Sequence, residues 1–442
     1  MLLITSLASF LTPFMSSSVN VALPAIGREF SVSAVALGWV ATSFLLAAAV
    51  GLVPIGRRRV FTTGLVVYTA GSFLCALAPS HLVLIAFRVV QGSGGAMIFG
   101  TATALLTSTF PASGRGRALG WNVASVYTGL SLGPFLGGIL TQNLGWRSLF
   151  LTNVPLGVVI LSLALWGMKE EKVEPQGASF DAPGALIYGA GLVALMIGFS
   201  TLPGPRSLFL LLSGIGGLVA FALRQMRAQS PLLDLRLFLR NRTLTLSNLA
   251  ALINYSATAA VGFLLSLYLQ YNRLLGPQAA GLVLVAQPVL QALLSPVAGR
   301  LSDRVQPRVV ASIGMSMTVV GLALFAFLSA ESPLVLVVLN LAWLGVSFAL
   351  FSSPNTNAVM SAVDRRAYGV AAGTLATMRT LGQMFSLGIA MLLFSVFVGD
   401  AAIGPTNALR FLTAARVACG IFSALCLVGV FASCARGNVP NR

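Results

Sequence analysis

The feature that most constrains this chain is the recurrence of apolar stretches long enough to cross a bilayer. A spanning helix needs about 20 predominantly apolar residues. Only 8% of the 442 residues are charged, against roughly 25% in a soluble domain. We therefore predict an all-α membrane protein with fourteen transmembrane helices. The predicted spans are residues 3–26, 34–54, 60–79, 82–109, 118–140, 148–167, 182–202, 206–224, 243–270, 277–298, 309–329, 333–358, 369–398 and 407–434.

The positions of Lys and Arg predict the orientation of these helices. With the N-terminus inside, 19 of the 27 basic residues fall in cytoplasmic loops and the C-terminal tail, and only five fall on the opposite side. Cytoplasmic loops of membrane proteins carry such an excess, so both termini are predicted to be cytoplasmic. Because the basic residues alternate with apolar runs, the net charge of +17 reflects this orientation rather than nucleic-acid binding. The expected location is an inner or plasma membrane.

Two charged stretches, residues 168–181 and 225–242, divide the predicted helices into three groups. We expect a six-helix bundle at 1–168, a linker with two inserted transmembrane helices at 169–242, and a second six-helix bundle with a short tail at 243–442. A faint repeat supports this division, because PIGRRRVF (54–61) and GRLSDRVQPRVV (299–310) each follow the second helix of a bundle.

Residue types that carry enzyme chemistry are scarce. The four cysteines (Cys75, Cys419, Cys426 and Cys434) lie in apolar helices without CxxC spacing, and His81 is the only histidine. No nucleotide-binding loop or nucleophile elbow is found. We expect no enzyme activity, cofactor or metal. The first apolar run lacks a basic segment and a cleavage-like tail, so it is not expected to be a signal peptide.

Three phrases place Gly, Pro and polar residues inside spanning stretches: SSSVNVALP (16–24), RVVQGSGG (88–95) and GLSLGPFLGG (129–138). Such residues are unfavourable in lipid unless another helix or a watery cavity receives them. In the third phrase, Gly129, Gly133 and Gly137 share one helix face, and Pro134 removes a backbone hydrogen bond. A face without side chains permits close helix packing, and ordinary small-residue packing is the simplest interpretation.

Together the three phrases resemble helices 1, 4 and 5 of the major facilitator superfamily, specifically its fourteen-helix drug:proton antiporter branch. SSPNTN (352–357) and MRTLGQ (378–383) resemble later helices of that branch. The resemblance implies a monomeric secondary transporter with alternating access, exporting drugs or amphiphilic metabolites in exchange for protons. It also implies a hinge and seal between the bundles at Gly129, Gly133, Pro134, Gly137 and Gly138. The implied cytoplasmic gate loops contain Gly56, Arg57, Arg58, Arg59, Gly299, Asp303, Arg304 and Arg308.

Candidate residues of a substrate or coupling cavity are the polar side chains within spans. Arg88 either extends to the outer interface or faces the cavity with Gln91, whereas Arg379 lies about 15 Å from the cytoplasmic end of its helix. Arg416 is interpreted as structural. The remaining candidates are Asn20, Tyr127, Asn254, Tyr255, Asn340, Asn355 and Gln383, with Gln287 and Gln291 as weaker ones.

The chain departs from the family pattern at the positions that usually carry protons. Met15 stands where the branch usually has an aspartate, and the loop after helix 2 is about five residues short and lacks its aspartate. No carboxylate or histidine is placed in mid-membrane. Three hypotheses stay open: a proton-coupled exporter, a uniporter or potential-driven exporter of anionic or neutral substrates, and a transport-deficient membrane sensor or partner-binding protein.

Overall fold

The computed structural model describes residues 1–50, 57–110, 112–168, 181–228, 232–233, 238, 241–363, 368–399, 401, 403–404 and 407–437. These residues form fourteen helices, one of which has a break at Val285. The helices are α1 (Leu2–Phe30), α2 (Ala34–Val50), α3 (Arg57–Ala76), α4 (His81–Thr109), α5 (Ala112–Leu144), α6 (Arg147–Gly167), α7 (Ala182–Thr201), α8 (Pro205–Arg227), α9 (Arg242–Leu267), α10 (Pro277–Arg304), α11 (Pro307–Ala326), α12 (Leu334–Ser361), α13 (Tyr368–Phe397) and α14 (Ala408–Ala435).

Thirteen of these helices are long and apolar enough to cross a membrane, and the described part of α2 is a shorter apolar helix, Ala34–Ala49. The predicted all-α fold with fourteen helices is therefore confirmed. The boundaries differ most at three cytoplasmic ends. One is the end of α10, which runs six residues further than expected, to Arg304, so Gly299, Asp303 and Arg304 of the second predicted gate loop are helical. Arg57, Arg58 and Arg59 form the first turn of α3 rather than a loop, as suits a good helix former, and α5 begins six residues earlier than expected.

The helices pack as a first half (α1–α6), a second half (α9–α14) and a pair, α7 and α8. Within the first half α1 packs on α5 and α3 on α4 and α6; within the second half α9 packs on α13 and α14, and α11 on α12 and α14. The pair contacts both halves, because α7 touches α2 and α13. Leu46 of α2, Met196 of α7 and Met384 of α13 are buried together in that contact.

Asp181 fixes the cytoplasmic ends of α7 and α8 to each other. Its carboxylate caps α7 by accepting a hydrogen bond from the Gly184 N–H at 3.0 Å. It also accepts hydrogen bonds from Arg224 Nε and Gln225 Nε2 of α8, both at 2.8 Å. These three donors hold the two inserted helices in a fixed register.

Candidate functional site

Gly129, Gly133 and Gly137 seat α1 against α5. A Cβ at Gly129 would lie 2.6 Å from the Phe10 carbonyl oxygen, and a Cβ at Gly137 would lie 2.8 Å from Ser18 Cβ. Ser18 Oγ donates to the Gly133 carbonyl at 2.9 Å. The expectation that these three glycines line the interface between the bundles is wrong, because their face is filled by α1 of the same half.

Gly138 and Pro134 do contact the second half. A Cβ at Gly138 would lie 2.6 Å from the Pro277 carbonyl oxygen, and the Pro134 carbonyl lies against Gly281. Nearby, the Gln278 N–H donates to Gln142 Oε1 at 3.1 Å. The C-terminal end of α5 and the N-terminal end of α10 therefore pack backbone against backbone. The arginine distribution assigns this end of the two helices to the outside.

A second contact between the halves forms at the proline in α1. Pro24 has no N–H, so the Asn20 carbonyl, four residues earlier, lacks its helix donor. Ser266 Oγ of α9 donates to that carbonyl at 2.6 Å, and Gln270 Nε2 donates to the Val21 carbonyl at 2.8 Å. The five-residue π turn after α9 carries Gln270. Side chains of the second half thus bind the backbone that the proline leaves open, and they join the two halves at the end assigned to the outside.

A polar cluster lies deeper, between α5, α9, α12 and α13. Tyr127 Oη and Tyr255 Oη lie 3.2 and 3.5 Å from Ser352 Oγ. Arg379 donates from Nη2 to Thr356 Oγ1 at 2.7 Å, and its guanidinium carbon lies 5.6 Å from the centre of the Tyr255 ring. The cluster therefore brings together three of the predicted residues with two hydroxyls of the SSPNTN segment.

Arg379 is the charge of this cluster, and it has no acidic partner among the described residues. The two ion pairs in the described part of the chain are Glu29–Arg147 and Asp181–Arg224. Arg379 Nε is buried without a hydrogen-bond partner. Gln291 is a further hydrogen-bond partner of Tyr127. Gln383 follows Arg379 by one helical turn and is partly buried. The arrangement is a half-buried cation among neutral hydroxyl and amide groups.

Arg88 and Gln91 occupy a different place from Arg379. Arg88 is 1% exposed, with Nε donating to the Val40 carbonyl at 3.1 Å and Nη1 to Gln91 Oε1 at 2.6 Å. Gln91 Nε2 donates in turn to Ser72 Oγ at 2.7 Å, and the guanidinium lies 4.4 Å from the Phe44 ring centre. Arg88 neither extends to the outer interface nor shares the site of Arg379, because α2, α3 and α4 enclose it.

Three predicted asparagines bind partners within the second half. Asn340 donates to the Gly321 carbonyl at 2.9 Å, and Asn254 contacts Cys426 Sγ at 3.9 Å. Asn355 donates to the Ser247 carbonyl at 3.1 Å and accepts from Arg436 Nη1 at 2.7 Å. These contacts join α9, α11, α12 and α14 to one another rather than to the polar cluster.

The atypical Met15 faces Asn153 of α6. Asn153 Nδ2 lies 3.0 Å from Met15 Sδ and donates to the Leu149 carbonyl at 2.9 Å. Both side chains are 0% exposed, and Asn153 Oδ1 has no hydrogen-bond partner. A buried amide thus faces a thioether at the position where the resemblance expects an acid.

The two predicted gate loops are described to different extents. Gly56 and the shortened segment before it lie outside the described residues, as does the side chain of Arg57. The carbonyls of Arg58 and Arg59 accept hydrogen bonds from Thr62 within α3. In the second copy, Asp303 accepts from Asn357 Nδ2 at 3.2 Å, and a Cβ at Gly299 would lie 3.0 Å from Ser353 Oγ. Arg304 is exposed, and Arg308 lines a groove along α11.

Sequence reasoning missed Asn153, Ser266, Gln270 and Thr356. The signal for Ser266 was available, because a proline inside a helix leaves a carbonyl that a neighbour must satisfy. The sequence does not show which neighbouring helix supplies the hydrogen-bond donor. Arg416 donates to the Leu328 carbonyl, a contact between α14 and the end of α11. Among the described residues, no group of three or more His, Cys, Asp or Glu could hold a metal ion.

Comparisons with known proteins identify the family. The protein-family model described as Major Facilitator Superfamily matches residues 5–387 of this chain. The chain is 31% identical over 410 residues to the riboflavin transporter RibZ of Clostridioides difficile (strain 630), covering 90% of this chain and 88% of that protein. It is 33% identical over 407 residues to the multidrug resistance protein Stp of Mycobacterium tuberculosis, covering 88% and 74%. The cephamycin export protein CmcT of Amycolatopsis lactamdurans is 33% identical over 407 residues, covering 88% and 83%.

Solved structures share the fold at low identity. A bacterial homolog of the human lysosomal transporter Spinster, in an inward-facing and unoccupied conformation, matches with a TM-score of 0.68, 15% identity, and coverage of 98% of this chain and 96% of that chain. A D-xylose–proton symporter matches with a TM-score of 0.65, 13% identity, and coverage of 95% and 96%.

Proposed function

The chain belongs to the major facilitator superfamily and is a secondary transporter, and from this premise we propose that it exports amphiphilic small molecules across the plasma membrane. The observation that carries the proposal is the pairing of a closed external side with a polar cluster between the halves. A substrate reaching that cluster would come from the cytoplasm. The relatives include proteins named for multidrug resistance and for export, which supports export.

We propose that the first and second halves are the two moving bundles, 1–168 and 243–442, joined by the linker 169–242. Alternating access would then require the contacts at Gly138 and at Ser266 to open while a cytoplasmic contact forms. Among the described residues, the Tyr127–Ser352 hydrogen bond is the one nearest the cytoplasm that joins the halves. The transporter would act as a monomer, since each chain carries both halves.

The site's charge favours anionic or neutral substrates. Arg379 gives the cluster a positive charge that no described acid offsets, and a positive site repels organic cations. Arg88 adds little there, since Phe44 and the Val40 carbonyl enclose it. A guanidinium pairs well with a carboxylate or phosphate. We therefore propose an anionic or neutral amphiphile, bound between Arg379 and the two tyrosines.

Export of an anion would need no proton carrier. A negative-inside potential of 100 mV is worth about 2.3 kcal/mol per charge, which supports a gradient of about fiftyfold. Proton antiport, which the motif resemblance implies, is the second candidate. It is favoured by the intact α4 and α5 motifs and disfavoured by Met15.

The test uses purified protein in liposomes with matched anionic and cationic amphiphilic dyes. Transport is measured first with a pH gradient alone and then with a potassium-diffusion potential alone. We expect anion transport driven by the potential, strongly reduced in Arg379→Gln and largely kept in Arg379→Lys. Preferential transport of the cation, unaffected by Arg379→Gln, would contradict the proposed site. Transport of neither dye under either gradient would instead support the sensor hypothesis.

A further inference from the structure

A groove runs along the lipid-facing side of α11, away from the polar cluster. It has a volume of about 610 Å³ and lies between α11, α12 and the cytoplasmic end of α14. Its walls are largely apolar: Val309, Ile313, Val320 and Trp343 are exposed, and Met317 is partly buried. The Trp343 indole N–H donates to the Met317 carbonyl at 2.8 Å, so the ring presents a wall without an unsatisfied donor.

The length of the groove matches one leaflet of a bilayer. From Arg308 to Val320, twelve residues of α11 rise about 18 Å. The hydrocarbon core is about 30 Å thick, so one leaflet contributes about 15 Å to it. The groove therefore begins at the cytoplasmic headgroup level and ends near the bilayer centre, and one extended acyl chain would fill it.

Arg308 lies at the cytoplasmic mouth of this groove, and its charge is not paired with an acid among the described residues. Its side chain is partly exposed, and it makes no ion pair or hydrogen bond with the residues that the structure describes. Arg304, four residues earlier at the end of α10, is exposed but does not line the groove, so Arg308 is the cation at its mouth. A guanidinium binds phosphate through two parallel hydrogen bonds, and basic sites on the cytoplasmic side attract anionic headgroups.

We propose that this groove is a binding site for an anionic phospholipid of the cytoplasmic leaflet. Its phosphate pairs with Arg308, and one acyl chain lies along Ile313 and Val320 against Trp343. Charge complementarity selects the anionic headgroup, and the depth of the groove selects a molecule with a long chain. The groove is separate from the polar cluster, because no residue of that cluster lines it.

The test counts bound phospholipid by native mass spectrometry of the full chain, titrated with phosphatidylglycerol and, separately, phosphatidylcholine. We expect one phosphatidylglycerol to be retained in preference to phosphatidylcholine. Arg308→Gln should weaken that retention about fivefold, the effect of one basic residue at an anionic surface. Arg304→Gln is the matched control, since it removes the same charge from a residue outside the groove, and it should leave retention near the wild-type level.

Labelling of Cys434 locates the bound lipid. Cys434 lines the groove and is exposed, whereas Cys75, Cys419 and Cys426 are buried. In phosphatidylglycerol nanodiscs, a bound lipid should slow maleimide labelling of Cys434 in the wild type and in Arg304→Gln, but not in Arg308→Gln. Equal retention of the two lipids, or an equal loss in both arginine variants, would overturn the proposal, because it would indicate a non-selective groove or a general surface charge.

Discussion

At the scale of single residues, several buried polar side chains bind backbone carbonyls. Arg88 binds the Val40 carbonyl, Asn340 binds the Gly321 carbonyl and Ser266 binds the Asn20 carbonyl. Each contact removes a polar group from lipid, where an unsatisfied group costs several kcal/mol. Arg379 is different, because the guanidinium donates to the Thr356 hydroxyl rather than to a carbonyl, and its Nε has no partner. A cation held by a hydroxyl in the polar cluster is less fully satisfied than Arg88, which marks it as the charge of the candidate site.

The first prediction concerns Met15. Met15→Asp would place a carboxylate next to Asn153 Nδ2, and burial disfavours its charged form. We expect a folded variant, destabilised by about 1–3 kcal/mol, whose transport becomes dependent on a pH gradient. Transport in liposomes with and without that gradient is the measurement. Met15→Leu, a volume-conserving control, should behave as the wild type; the same pH dependence in Met15→Leu would rule out the added acid as its cause.

The second prediction concerns Asp181. The hydrogen bond from Arg224, helped by those from Gly184 and Gln225, lowers the pKa of this carboxyl below its usual value. A carboxyl whose pKa is lower in the folded state stabilises the fold at pH values above its unfolded pKa of about 3.9. This stabilisation is lost as the pH falls through the folded-state pKa. Asp181→Asn keeps a good helix cap and removes the charge. Its melting temperature in detergent should lie below that of the wild type at neutral pH, and the gap should close in acid; a gap independent of pH would contradict this.

At the scale of helices, close contact between two helix backbones determines the positions at which a side chain larger than that of glycine does not fit. The α1–α5 contact and the α5–α10 contact both use glycines of one ten-residue segment, 129–138, on different faces of α5. The first is within a half and the second is between halves. We therefore expect substitutions on the two faces to act differently, the first on stability and the second on the opening of the external side.

The third prediction tests the α1–α5 contact. A Cβ at Gly133 would meet Ser17 Oγ and lie 2.8 Å from the Phe14 carbonyl oxygen. Gly133→Ala should destabilise the protein by about 1–3 kcal/mol, and Gly133→Leu should also abolish transport. Gly120→Ala is the matched control on the same helix, because its Cβ would meet no atom within 4 Å. Thermal unfolding and transport are measured; equal stability of Gly133→Ala and Gly120→Ala would mean that the face is not closely packed.

The fourth prediction tests the external closure. Ser266→Ala leaves the Asn20 carbonyl without its donor, so the closed form should lose about 1–3 kcal/mol relative to the open form. Spin-label distances between the external ends of α1 and α9 should shift toward longer values. Ser256→Ala is the control, since Ser256 donates to Leu252 of its own helix. A distribution identical in the wild type and Ser266→Ala would show that this bond does not hold the external side closed.

At the scale of the whole molecule, the distribution of arginines orients a structure whose two sides are unlike. On the external side, α1 and α5 are joined to α9 and α10. The groove is assigned to the cytoplasmic leaflet, and the Arg379 cluster to the inner boundary of that leaflet, toward the bilayer centre. The proposed export and the proposed lipid site both depend on this orientation. The proposed export also depends on α7 and α8 lying beside α2 and α13 without covering the polar cluster.

The fifth prediction tests that orientation. Cys434 lies one residue before the end of α14 and is exposed, so a membrane-impermeant maleimide should label it from the cytoplasmic side only. Glu331→Cys in a Cys434→Ser background should be labelled from the opposite side, since Glu331 is exposed between α11 and α12. Inside-out and right-side-out vesicles provide the comparison. Labelling of both positions from the same side would contradict the assigned topology.

The sequence alone was sufficient for the number of helices, their predicted orientation and the close-packed face of α5. These properties are local, because apolar length, loop charge and the spacing of glycines along one helix do not depend on distant residues. The tertiary structure decided which polar residues meet. Arg88 and Arg379 look alike as charges within apolar helices, yet one is enclosed by α2, α3 and α4 and the other belongs to the polar cluster, in which Tyr127 of the opposite half contacts Ser352. A helical face can be read from periodicity, but the helix that covers it is set by packing between segments far apart in the chain.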